Sequence, residues 1–309
     1  MVIYSLIWFD AVLEWLVFAL LCPAFWGLNN VFYKFLMTKK FRGYFPMLSF
    51  MSIIDMAIAV ILYLVSPAYF VFPYTFFAIL VGLMPLLAFW FFSRALMVEE
   101  ISRISPLLQF VPIFVAFLSV IFLDEILTAQ RYLGVAIIIL ASVLISYRSS
   151  KTGRSLSSAL KFMLPFTVVI AVHSILEKFL LSYLSYWSLF FWNLLGGFCG
   201  VLFLMLFSKM RRKFTETVHT VGRRAFFVVL VGESVYFMGT ISWLIAASMG
   251  YVSLVSAFAG LQHFFVFIYV ILASLFVPQH LKEEMSREVI LLKISAIALM
   301  IAGTWLISV

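Results

Sequence analysis

Apolar stretches of helical length alternate with short polar connections from one end of this chain to the other. Crossing the hydrocarbon of a bilayer takes roughly twenty residues. Ten segments qualify on that measure: 14–37, 45–66, 73–97, 104–123, 129–147, 158–181, 185–208, 223–247, 252–277 and 288–308. The pattern predicts an all-α membrane protein with ten transmembrane helices.

The stretch from Arg94 to Ser146 is the most structured part of the pattern. Pro106 and Pro112 stand inside an apolar run, where each removes a backbone donor that hydrocarbon cannot replace. A helix so interrupted must lie against neighbours. An acidic hairpin at Asp124 and Glu125 follows, and Gln130 and Gly134 open the next helix.

The two halves of the chain can be laid over one another. Residues 26–36 match 170–180 without a gap, and Lys-Phe-Leu closes both blocks, at Lys34 and at Lys178. A shift of 150 sets Val81-Gly82 on Val231-Gly232, Pro106 on Ser256 and Pro112 on Gln262, and Leu144-Ile145-Ser146 matches Leu306-Ile307-Ser308. Five crossings per half is an odd number, so the second half enters the membrane from the opposite side. The expected architecture is two inverted five-helix repeats, 1–150 and 151–309. Inverted repeats supply two conformations of similar energy for alternating access. Chance similarity among Leu-, Ile- and Phe-rich helices is the competing explanation.

Composition agrees with a membrane protein. Of 309 residues 65% are hydrophobic and 11% charged, and mean hydropathy is +1.17. The net charge of +8 would suggest nucleic acid in a soluble chain, but 16 of the 21 basic residues fall in five connections between apolar segments. That placement is topogenic, so no nucleic-acid partner is expected and the basic connections are read as cytoplasmic. Ten crossings then put both termini outside, in what is read as a plasma (inner) membrane. Cys22 and Cys199 lie in apolar runs and read as packing residues, and no cleaved signal peptide is apparent at the start. The basic run 209–213 reads as a solvated topogenic loop, or as a contact for anionic lipid headgroups.

Arg94-Ala95-Leu96, Pro106, Pro112, Glu125, Gln130 and Gly134 together resemble the EamA type of the drug/metabolite transporter superfamily. The resemblance implies two five-helix halves around a central cavity lined by the first and sixth helices. It also implies secondary transport of a small metabolite without nucleotide hydrolysis or a cofactor. The chain departs from the family in Gln262 at the second-half proline position, in a longer last hairpin, and in the outside placement of both termini.

Ionisable groups in mid-membrane are expensive and usually face a bundle interior. Four qualify: Asp55 in the second crossing, His173 in the sixth, Glu233 in the eighth and His263 in the ninth. Glu233, between Gly232 and Ser234, is the leading candidate for substrate contact or proton coupling. Asp55 is a second proton acceptor or a polar clasp between helices. His173 stands where the first half has Asn29, and Asn29, Asn30, Gln262 and His263 complete the candidate substrate-binding and coupling set. Each has a bland alternative as a hydrogen-bonded packing residue. Lys34, Lys178 and Arg94 are candidate gate residues, or snorkelling and interfacial anchors. Glu177 is too close in sequence to Lys178 to pair with it along the helix, so its partner is expected elsewhere. Trp26, Trp90, Tyr236, Trp243 and Phe258 are a candidate aromatic lining. Gly196 and Gly200 have the spacing for close helix approach.

No nucleophile elbow, zinc-protease helix or phosphate loop occurs, no metal site is expected, and the chain does not read as an enzyme. The leading reading is a secondary transporter of a small polar or amphipathic metabolite, working by alternating access and with possible proton coupling. Membrane lipids are the other partner and the oligomeric state is open. A lipid or lipid-linked sugar translocase on the same fold is the alternative, and a membrane-embedded enzyme or scaffold the alternative of another class.

Overall fold

The computed structural model describes residues 2–39, 44–98, 104–146, 159–276 and 287–308. Every regular element among them is helical. The first part of the chain forms α1 Val2–Lys39, α2 Tyr44–Val65, α3 Tyr74–Val81, α4 Met84–Val98, a 3-10 turn Ser105–Gln109, α5 Phe110–Leu123 and α6 Ala129–Ser146. The second forms α7 Leu160–Leu180, α8 Tyr186–Met205, α9 Ser208–Thr220, α10 Arg223–Met249, α11 Val252–Ala259, α12 Gln262–Phe276 and α13 Arg287–Ser308. Among the described residues six stretches are long and apolar enough to cross a membrane, and four shorter apolar helices accompany them. Their centres fall within the ten apolar segments.

Three of the apolar segments are interrupted, each for a local reason. The span Tyr74–Val98 breaks after α3 at Gly82, where any Cβ would overlap the main chain of Asn193. Pro106 sits in the first turn of the 3-10 stretch, where its missing N–H costs least, and Pro112 opens α5. The apolar segment that begins with α11 breaks at Gly260, against Gln109 and Ser142.

Small residues set how the helices approach. A Cβ on Gly134 would lie 2.9 Å from the Gly303 carbonyl, and one on Gly303 would lie 2.9 Å from the Gly134 carbonyl. Gln130 donates to the Leu306 carbonyl at 3.3 Å, so low numbers in α6 meet high numbers in α13 and the two run antiparallel. Gly196 lies against the Ile79 carbonyl and Gly200 against Leu83 and Leu86, which gives the glycine spacing in α8 its packing role.

Where the charge run at 209–213 predicts a loop, the chain instead forms α9. Its apolar positions explain the difference: Phe214 packs on Phe50 of α2, ring centroids 6.1 Å apart, and Thr217 is buried, while Lys209, Arg211, Arg212 and Lys213 face outward. Arg212 and Glu216, one turn apart, pair at 3.3 Å. Cys22 is buried and fits the packing reading; Cys199 is exposed and does not. The last hairpin, residues 278–286, lies outside the described residues.

Candidate functional site

Glu233, Tyr236, Thr240 and Trp243 recur along α10 at spacings of three and four, so they share one helix face. That face meets α1. Trp26 of α1 fits against Gly239, where a Cβ would stand 2.5 Å from Trp26 Cδ1. The indole stacks between Tyr236 (centroids 6.4 Å apart, 22° between planes) and Trp243 (5.9 Å, 27°), and its Nε1 donates to Thr240 Oγ1 at 3.3 Å. Glycine at 239 is therefore what admits the three-ring stack.

Carboxylates mark both ends of this seam. At one end Glu233, only 3% exposed, neighbours Asp55 of α2, so two carboxyl groups lie close where like charges repel. Glu233 Oε1 has no partner, and the buried Asn29 of α1 packs beside Gly232. At the other end Glu177 of α7, also buried, accepts from Trp243 Nε1 and from Asn193 Nδ2 of α8, both at 2.9 Å, with His173 Nδ1 3.5 Å away. Three helices are thereby tied to one carboxylate.

The remaining candidates divide. His263 packs at the Gly260 break: its Nδ1 lies 3.2 Å from Gln109 Nε2 and 3.4 Å from the Gly260 carbonyl. Ser142 donates to the same carbonyl at 3.1 Å. His263 and Gln109 therefore hold the broken segment and stand apart from the carboxylates. Gln262 lends its main-chain carbonyl to the contact with Gly27. Asn30 is exposed, unlike Asn29. Lys178 donates to the carbonyls of Ala247 at 2.6 Å and Gly250 at 2.8 Å, an anchor on the end of α10. Arg94 is exposed and lies over the Trp90 ring at 5.4 Å, so Trp90 is no part of the central stack. Phe258 is buried against Trp15, also apart from it. The Lys34 side chain lies outside the described residues.

Residues 13–147 match the family model of the EamA-like transporter family. Over that first half the chain is similar to the EamA-like transporters. No curated protein matches it in sequence. A crystal structure described only as that of a protein shares the fold of this chain, with a TM-score of 0.70 over 95% of this chain and 96% of the other at 13% identity.

Sequence reasoning missed the central place of Glu177. Its neighbour Lys178 suggested a helix end, yet Glu177 is buried and its partners come from 16 and 66 residues away. A signal was present: an acidic residue four positions after a mid-membrane histidine. Beside the seam is a recess of about 10 Å³ lined by Ala59, Tyr63, Trp187, Phe190, Phe191 and Phe237. A larger apolar groove of about 390 Å³ runs between α1, α12 and α13.

Proposed function

We propose that this membrane transporter moves a small polar or amphipathic metabolite by alternating access, with the seam between α1 and α10 as its central site. The observation that carries the reading is the gathering of Asn29, Asp55, His173, Glu177 and Glu233 from both halves of the chain onto adjoining helices. A merely structural bundle has no need of buried carboxylates in hydrocarbon.

Ten crossings in two inverted halves, 1–150 and 151–309, make the packing intelligible. Exchanging the halves exchanges α1 against α10 with α7 against the α3–α4 pair, and both contacts occur. It maps the antiparallel α6–α13 pair onto itself. The interruptions at Gln109–Phe110 and at Gly260 also fall at equivalent places under the shift of 150. With the basic connections cytoplasmic, both termini face outside.

The test is substrate-dependent counterflow in proteoliposomes, with the substrate taken from a thermal-shift screen of metabolites. Wild-type protein should exchange internal for external substrate. Glu233→Gln should keep its fold and lose any exchange driven by a pH gradient. Absence of counterflow for every stabilising compound would remove the transport reading. The apolar groove lined by Leu20, Phe264, Met300 and Trp305 favours a second reading, translocation of a lipid whose chain lies there. Against it, Lys178 is committed to main-chain carbonyls. Stabilisation by lipids and not by water-soluble metabolites would favour that second reading.

A further inference from the structure

The basic run 209–213 folds as α9, and the position of that helix limits what its charge can meet. Helices long and apolar enough to cross the membrane bracket it: α8 ends at Met205 and α10 begins at Arg223, leaving two residues on each side. About 20 Å of helix is thus held at the level where two spans leave the hydrocarbon. The apolar side chains next to it agree. Leu206 and Phe207 just before α9, and Phe226 and Phe227 just after it, are exposed. Bare rings at the end of a membrane helix face lipid, so lipid reaches both ends of α9.

One face of α9 is already occupied. Met210, Phe214 and Thr217, at spacings of four and three, are withdrawn from solvent. Phe214 lies on Phe50 of α2, and Phe50 in turn meets Phe226 of α10 edge to face with ring centroids 6.2 Å apart. This packing fixes the rotation of the helix. At the helical period Lys209 and Lys213 then leave along one flank of the packed stripe, Arg211 along the other and Arg212 away from it, and all four are exposed.

The charge has little to meet within the protein. Arg212 pairs with Glu216, whereas Lys209, Arg211 and Lys213 have no acidic partner among the described residues. Nor do these cations serve the helix. They crowd its first six residues, at the positive end, where the helix dipole disfavours them, and the first turn holds no acid. A purely topogenic role needs charge in the connection, but not charge displayed on an ordered helix. The anion this location supplies is the phosphate of an acidic phospholipid in the adjoining leaflet. An acidic protein could meet the same charge, but it would have no use for a helix lying at membrane level between exposed rings.

We propose that α9 is a lipid-binding helix, whose Lys209, Arg211 and Lys213 hold the phosphates of anionic phospholipids at the membrane surface. Its apolar stripe serves to fix it on α2 with that charge turned outward. The assignment needs a membrane and does not rest on the transport reading.

The probes are phosphatidylglycerol, phosphatidylcholine, water-soluble glycerol 3-phosphate and polyglutamate, each added to the purified full-length protein in a neutral detergent. Bound lipid is counted by native mass spectrometry, and thermal unfolding is followed in parallel. Each cation near an anionic surface contributes about fivefold in affinity. Phosphatidylglycerol should therefore be held at least about tenfold more tightly than phosphatidylcholine, less so as salt is raised. Glycerol 3-phosphate and polyglutamate should not displace it. Replacing Lys209, Arg211 and Lys213 together by glutamine should abolish the preference and leave unfolding in detergent alone unchanged, because all three side chains are exposed. Arg211→Gln with Lys213→Gln serves should the triple variant fail to fold. Arg131→Gln with Lys161→Gln, which lowers the charge elsewhere, should keep the preference. Equal retention of both lipids, a preference that survives the α9 substitutions, or one lost as fully in the Arg131 and Lys161 variant would overturn the assignment. Displacement by glycerol 3-phosphate or polyglutamate would place the partner in solution and overturn it too. Failure of counterflow bears on transport alone and leaves this result standing.

Discussion

Replacing Glu177 separates two accounts of the seam, one in which its charge matters and one in which its hydrogen bonds do. In Glu177→Ala the Trp243 N–H and the Asn193 amide lose their acceptor in a buried place, at about 1–3 kcal/mol for each stranded donor. Breaking a buried charged contact by removing one partner falls in the same range, so the loss should be roughly 3–5 kcal/mol. Glu177→Gln is a different case. Its Oε1 can still accept from Trp243. Its new Nε2 donor can meet Asn193 after that amide turns over, and Asn193 Oδ1 is at present unmet. Neutral bonds replace charge-assisted ones, and the loss should be about 1–2 kcal/mol. The assay can be read close to the seam, because Cys22 is buried one helical turn before Trp26 on α1 while Cys199 is exposed. In a Cys199→Ser background a thiol-reactive dye reports the uncovering of Cys22 on heating. At roughly 2–4 °C per kcal/mol, the two variants should be well resolved. If glutamine proves as damaging as alanine, the charge itself is what α7 supplies, with His173 as its counterion, and the hydrogen-bond account is wrong.

The other predictions concern how the helices are held. Glu125→Ala should cost roughly 2–5 kcal/mol in thermal unfolding, because it strands the amides of Val252 and Ser253. Glu125→Gln, which keeps one acceptor, should cost less. Gly303→Leu should destabilise by about 1–3 kcal/mol, since its side chain would run into Ile138 and the Gly134 carbonyl; unchanged unfolding would mean that α6 and α13 are not in close contact. Gly239→Val should push Trp26 out of its stack, seen as a red shift in tryptophan emission that is absent in a Trp26→Phe background.

Much of the helix count was legible because it follows from hydrophobic length alone, and length is local. The prolines likewise foretold an interruption in the apolar segment 104–123, since Pro106 and Pro112 act on their own backbone. What the sequence hid was non-local or depended on the side of a helix. The basic stretch of α9 reads as a loop by charge, and only the spacing of Met210, Phe214 and Thr217 gives the helix away. Glu233 was legible as an expensive residue, and Asp55 as its neighbour was not, because that depends on how α2 lies against α10. Lys178 was equally visible but ambiguous, because whether a lysine near a helix end meets solvent, lipid or carbonyls is decided by the next helix over.

Lys178 belongs to a larger arrangement that bears on which parts of the molecule can move. The turn between α10 and α11 is held from both sides by charge of the favourable sign. The lysine binds the carbonyls of Ala247 and Gly250 at the negative end of α10. Glu125 accepts from the Val252 and Ser253 amides and from Ser253 Oγ, at 2.9, 3.2 and 3.0 Å, at the positive end of α11. Cation on carbonyls and anion on amides is the arrangement that helix dipoles stabilise at each terminus. Asp124, with φ of 54°, ends α5 in a left-handed cap, and Glu125 follows it directly to the α11 amides. The end of α7, the hairpin before α6 and the α10–α11 turn are therefore tied into one piece, against which Trp15 of α1 packs at Gly250. Any rearrangement that opens the seam toward this face must break those contacts together. One that opens it toward the opposite face can leave them intact, with the carboxylates of Asp55 and Glu233 on the side that parts.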